Sequence, residues 1–79
     1  MLKEKIRALF VMRNKNQTDY ARHINRTKQS FSNTINNDRF NLIEFIKLCD
    51  WMGLEIHVVD KNTKDKIIEL NINDINKER

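Results

Sequence analysis

Apolar residues return at helical spacing through the first half of the chain. Leu2, Ile6, Leu9 and Phe10 stand at i, i+4, i+7 and i+8, which predicts a first helix ending in the polar stretch Arg13-Asn14-Lys15-Asn16. Asn16 is placed to cap a second, short helix. Asp19 falls in its first turn, where the helix dipole favours an anion, and Tyr20, Ala21 and Ile24 face inward. Asn25 and Arg26 then interrupt the pattern, and Thr27 caps a third helix with Phe31 and Ile35 on its inner side. Lys28, Gln29, Ser32, Asn33 and Asn36 lie away from that stripe, and Asn36-Asn37-Asp38-Arg39 is a run of turn formers.

The fourth helix carries the clearest start signal. Asn41 and Glu44 form an N-x-x-E capping box, with Phe40 and Phe45 at the two positions of a hydrophobic staple around it. Leu42, Phe45, Ile46, Cys49 and Met52 are its expected buried stripe, and Gly53 sits where a left-handed residue ends a helix. Ile43, Leu48 and Trp51 fall off that stripe and either pack on the segment that follows or form a subunit contact. After Gly53 the period changes from 3.6 to 2. Leu54, Ile56 and Val58 alternate with Glu55 and His57, and Ile68, Leu70 and Ile72 alternate with Glu69 and Asn71. The polar segment 60–65 between them reverses the chain, so the pair reads as a β-hairpin. Residues 73–79 read as a polar, fraying tail.

The expectation is therefore a mainly α fold: a four-helix domain over residues 1–53, a β-hairpin over 54–72 and a flexible tail over 73–79. The chain has no proline and one glycine, so asparagine, aspartate, serine and threonine must supply its caps and turns.

Composition narrows the function. Seventy-nine residues hold one small core, and a single cysteine excludes an intrachain disulfide. With two histidines, His23 and His57, a dedicated metal site is not expected. The longest apolar run, Ala8-Leu9-Phe10-Val11-Met12, is far short of the ~20 residues of a membrane span, and no signal segment opens the chain, so a soluble, cytoplasmic domain is expected. Cys49 reads as a small core residue, Tyr20 as core and His57 as a surface residue. No pair of catalytic carboxylates, nucleophile–base pair or glycine-rich phosphate loop is visible. An enzyme, a cofactor and a small-molecule substrate are accordingly not expected.

Charge is uneven. Residues 1–40 hold nine basic and three acidic side chains, +6, and residues 41–79 hold six and eight, −2, which together give the net +4. A basic half suits a polyanion, although a solvated lysine-rich surface has the same composition. Two short helices joined by a tight turn, with polar side chains on the second, make a helix-turn-helix arrangement. Ala21 is small enough for the crossing of the two helices, and Asn25 accepts the positive φ that the turn needs. The outer face of the third helix then offers Lys28, Gln29, Ser32 and Asn33, donors and acceptors suited to base edges in a major groove.

Gln17-Thr18-Asp19-Tyr20-Ala21 through Thr27-Lys28-Gln29-Ser30-Phe31-Ser32-Asn33 resembles the Cro/phage-repressor family of helix-turn-helix domains. Asn41-Leu42-Ile43-Glu44-Phe45 through Trp51-Met52-Gly53-Leu54-Glu55-Ile56 looks like the next helix of that family, and the hairpin from Glu55 to Leu70 is similar to the tail of small phage-type regulators. The resemblance covers residues 1–72. It implies a repressor that binds double-stranded DNA sequence-specifically as a homodimer. Gln17 and Thr27 would then contact phosphate, and Lys28, Gln29 and Asn33 would read bases. Arg22 and Arg26 are placed beside the phosphates as well. The chain departs from the family pattern at Asn25, where glycine is usual. At Arg26, where an aliphatic residue is common, the side chain either adds a phosphate contact or shifts the docking angle.

The hairpin is the expected dimer element. An isolated two-stranded ribbon is marginal in water, and its edges invite another strand. Pairing with a second subunit would bury Ile56, Val58, Ile68 and Leu70. Packing on the fourth helix around Trp51 is the arrangement that needs no dimer. A reading from another class is a protein-interaction module that keeps the fold but binds a protein partner.

Overall fold

The structure, a computed structural model, describes residues 2–75. It has four helices, α1 (Leu2–Met12), α2 (Gln17–His23), α3 (Lys28–Asn36) and α4 (Leu42–Trp51). A hairpin of β1 (Ile56–Val59) and β2 (Lys66–Leu70) follows, and then one 3-10 turn (Ile72–Asp74). The expected mainly α architecture with a C-terminal hairpin is what forms. The chain divides into two compact units at Phe40/Asn41, where the charge balance also changes sign.

The helix ends explain how a chain so poor in glycine folds. Asn16, Thr27 and Asn41 each accept a backbone N–H from the third residue of the helix they open, and Glu44 completes the capping box by accepting the Asn41 N–H at 3.1 Å. At the other ends a left-handed residue follows each helix: Asn14 (φ 56°), Asn25 (φ 59°), Asp38 (φ 56°) and Gly53 (φ 75°). Each is followed by an N–H that returns to the last helical turn: Lys15 to Phe10 O, Arg26 to Ala21 O, Arg39 to Thr34 O and Leu54 to Cys49 O, at 2.8–2.9 Å. This is the Schellman closure, and only one of the four uses glycine. Short polar side chains tolerate the left-handed region best after glycine, which is why asparagine and aspartate take the other three.

In the first unit Ile6, Phe10, Tyr20, Ala21, Phe31 and Ile35 are buried. Phe31 is the hub. Its ring meets Tyr20 at 5.2 Å, Phe40 at 5.8 Å and Phe10 at 6.0 Å, each at a steep interplanar angle. Edge-to-face contacts of this kind add about 0.5–1.5 kcal/mol each beyond area burial. Leu2 is exposed, and Ile24, at the cap of α2, is half-buried.

In the second unit Ile46, Leu48, Cys49 and Met52 are buried, and α4 lies against the 3-10 turn. Two positions correct the expected stripe. Leu42, at the first helical position, is 58 % exposed. Leu48 is fully buried, because the buried arc is centred between Phe45 and Met52 and reaches it. Ile43 is exposed and Trp51 half-buried. The hairpin is antiparallel, pairing Ile56 with Leu70, His57 with Glu69 and Val58 with Ile68. Val59 then pairs with Lys66, so β2 carries an extra residue, Ile67, a bulge at the point where two apolar residues stand side by side. The turn is held by Asp60, whose carboxylate accepts the Asn62 and Thr63 N–H groups, and by Lys64 in the left-handed region (φ 67°). Where a fraying tail is expected from residue 73, Asn71 instead caps the 3-10 turn with its side chain on the Asn73 N–H. The rest of that tail lies outside the described residues.

Candidate functional site

The third helix is the element that presents chemistry. Thr27 Oγ1 accepts the Ser30 N–H at 3.0 Å and starts it, and Asp38 and Arg39 close it. Phe31, Thr34 and Ile35 are buried and fix its rotation. Gln29 and Asn33 therefore stand one turn apart at the centre of the outward face, with Gln29 Nε2 donating to Asn33 Oδ1 at 3.3 Å. Lys28 is exposed in the first turn. Of the three expected base-reading residues, Gln29 and Asn33 lie together and line one cleft, whereas Lys28 lines another.

The two flanks of α3 are held differently. On one side Ser32 Oγ donates to Gln17 Oε1 at 3.1 Å, and Arg7 donates to Asn36 Oδ1. Ser32 and Gln17, expected at a base and at a phosphate, are thus half-buried and hydrogen-bonded to one another; Ser32 supports the face more than it forms it. On the other side Arg26 folds back along the helix. Its Nε donates to Ser30 Oγ at 3.1 Å, and its Nη2 donates to Ser30 Oγ (2.8 Å), Ser30 O (3.1 Å) and Thr34 Oγ1 (2.6 Å). The half-buried guanidinium is a tether between the turn and the helix, a role that its charge alone does not announce. Arg22 is exposed and pairs with Asp19 at 3.3 Å. Thr27 is the cap described above.

Each flank also carries a cleft of about 380 Å³. One is lined by Arg26, Arg39, Asn37 and the Gln29–Asn33 face, the other by Arg7, Lys15, Gln17 and Lys28. No carboxylate lines either. Arg39, Lys15 and Arg7 were not singled out from the sequence. Arg39 was legible in retrospect, since the Asn-Asn-Asp run marks a left-handed residue, and the residue after it turns back over the end of the helix.

On the hairpin, Val58 and Ile68 face each other across the strands and are exposed, whereas Ile56 and Leu70 are half-buried. Val59 and Ile67 are also exposed, so the tip is apolar on both faces, with exposures of 45–66 %. Glu55, His57 and Glu69 gather on the face opposite Ile56 and Val58, with ligand-type atoms within 4.8 Å of one another. Polar contacts within the hairpin link the cluster. His57 Nε2 lies 3.0 Å from Glu55 and 3.9 Å from Glu69, and Lys66 Nζ lies 3.7 Å from Glu69. Asp60 titrates below the ordinary aspartate range because its carboxylate accepts the Thr63 and Asn62 N–H groups, and burial raises the Cys49 thiol. No helix among the described residues is long and apolar enough to cross a membrane.

Compared with known proteins, the chain matches no family model, no curated protein and no solved structure.

Proposed function

We propose that the chain is a sequence-specific DNA-binding transcriptional regulator of the Cro/phage-repressor helix-turn-helix type, a repressor that occupies an inverted-repeat operator as a homodimer. One observation carries the reading. The outward face of α3 is a ridge of exposed amides, Gln29 and Asn33, beside Lys28, with cations and no carboxylate in the clefts on either side. Gln and Asn side chains pair bidentately with adenine edges, and Lys suits guanine. The turn before α3, with Asn25 left-handed and the Arg26 N–H returned to Ala21, has the tightness that the motif requires. The mechanism is steric: the bound protein excludes other proteins from the operator, and no catalysis is involved.

A single recognition helix reads too few base pairs for useful specificity, so two copies on a palindrome are expected. The exposed tip of the hairpin, with Val58 and Ile68 on one face, is the surface that a second copy would cover. The same exposed tip also favours the other reading, a protein-interaction module. Salt dependence separates them, since counterion release makes DNA binding weaken steeply with salt and an apolar protein contact does not.

The test is Gln29→Ala. It should cost about 1–3 kcal/mol on the preferred duplex and much less on random duplex. Equal losses on both would remove Gln29 from base reading.

A further inference from the structure

The hairpin holds a cluster that the proposed DNA contacts leave unused. β1 and β2 pair His57 directly with Glu69, and Glu55 stands two positions before His57, on the same face of the ribbon. One imidazole and two carboxylates are thereby brought together from both arms of the hairpin, their ligand-type atoms all within 4.8 Å of one another. We propose that Glu55, His57 and Glu69 bind a divalent transition-metal ion of the zinc type, which ties the two strands together. The site goes beyond the DNA-binding reading and does not depend on it.

The donor set and its spacing carry the assignment. Zinc held tetrahedrally by nitrogen and oxygen ligands at about 2.0–2.2 Å sets those ligands about 3.3–3.6 Å apart. His57 Nε2 lies 3.0 Å from Glu55 Oε1 and 3.9 Å from Glu69 Oε1, on either side of that spacing. Magnesium and calcium prefer larger shells made of oxygen, whereas an imidazole among few donors suits zinc. Outside the cluster, Asn71 Nδ2 donates to Glu69 Oε2 at 3.3 Å and so holds that carboxylate with Oε1 toward His57. Hydrogen bonds of this kind orient the ligands of metal centres. The His57 and Glu69 side chains are only 33 % and 31 % exposed, so part of their freedom is already lost. Charge agrees with geometry. Lys66 Nζ, 3.7 Å from Glu69 Oε1, offsets one of the two carboxylates and leaves the other. On binding, the metal takes the His57 Nε2 lone pair, and the proton that this nitrogen shares with Glu55 passes to solvent. A two-stranded ribbon is marginal alone, so an ion ligated from both arms adds its binding energy to the stability of the hairpin.

The experiment titrates the full chain, freed of metal with a chelator, with zinc chloride, and follows both the heat and the imidazole resonances by NMR. One ion per chain is expected, with the His57 Nε2 resonance moving and the ring of His23 unchanged. His57→Ala and Glu69→Gln should each weaken zinc binding by about tenfold or more. Asn71→Ser, which still caps the 3-10 turn but no longer reaches Glu69, should weaken it by about tenfold. Lys66→Ala should tighten it, because the ion no longer competes with the ammonium for Glu69. The wild-type NMR titration decides the matter even if a variant fails to fold. A wild type that gives no zinc response, zinc that moves His23 and spares His57, a folded His57→Ala chain that binds as wild type, or magnesium bound as tightly as zinc would overturn the proposal. The titration contains no DNA, so each of these outcomes leaves the DNA-binding reading where it stands.

Discussion

Replacing Arg26 by Met should destabilise the fold before any DNA is added. The guanidinium makes four hydrogen bonds to two residues of α3, the shortest 2.6 Å to Thr34 Oγ1. Bonds from a charged donor contribute about 1.5–3 kcal/mol each when isolated. Here three of the four come from one nitrogen, they converge on Ser30 and Thr34, and the side chain is only half-buried. The group therefore counts as about one such bond rather than four, near 2 kcal/mol. Thr34 keeps its own donation to Ser30 O at 3.1 Å, so the substitution leaves no buried hydroxyl without a partner and adds no further penalty. Met retains most of the apolar stem, which isolates the loss to the guanidinium. For a domain of this size ~2 kcal/mol corresponds to a drop in melting temperature of roughly 8–16 °C. Arg26→Lys should fall between the two, because an ammonium keeps the charge but lacks the planar fork that reaches both acceptors. Urea unfolding followed by far-UV circular dichroism measures all three proteins. If Arg26→Met lies within about 0.5 kcal/mol of wild type, an ordinary surface effect, the tether is not a stabilising element.

The remaining predictions concern the turns and the hairpin. Lys64→Gly should stabilise the chain by about 0.5–1 kcal/mol, since it relieves a left-handed lysine, whereas Asn25→Val should destabilise it by more than 1 kcal/mol; the reverse order in urea titrations would remove φ as the cause. If the proposed dimer forms through the apolar tip, Val58→Lys and Ile68→Lys should lower the sedimenting mass at micromolar concentration to that of one chain; a dimeric wild type whose mass the substitutions leave unchanged would move the interface elsewhere. In acid the Asp60 turn should loosen. Its carboxylate is depressed in the folded chain, so its stabilising contribution is complete above the unfolded aspartate value and is lost as pH falls through the lower folded value. Amide shifts of Asn62 and Thr63 that do not move across that acid range would contradict the linkage.

What the sequence discloses and what it hides divide on physical grounds. Caps are local, so Asn16, Thr27 and the Asn41–Glu44 box are legible from neighbouring residues, as are Asn25 and Gly53 as left-handed positions. The change from period 3.6 to period 2 after Gly53 locates the hairpin for the same reason. The width of a buried face depends on what covers it, and so Leu42 and Leu48 exchange the places that spacing suggests. The fold-back of Arg26 depends on helix geometry bringing residues four and eight positions away within reach of one side chain. Charge counting records only the cation. The bulge at Ile67 coincides with the adjacent apolar pair Ile67-Ile68, which breaks the alternation of β2 but does not by itself say which residue is left unpaired. Spacing places Gln29 and Asn33 on the exposed face of α3, whereas the clefts beside that face follow from contacts that spacing does not carry.

The most direct test of the account is selection from a pool of randomised duplexes by the purified full-length protein, with the bound fraction sequenced. The account predicts an enriched inverted repeat whose half-sites are centred about 10–10.5 base pairs apart, or a multiple of that, matching two α3 helices on one face of the duplex. A bound fraction with no shared sequence, retained equally at low and high salt, would contradict it.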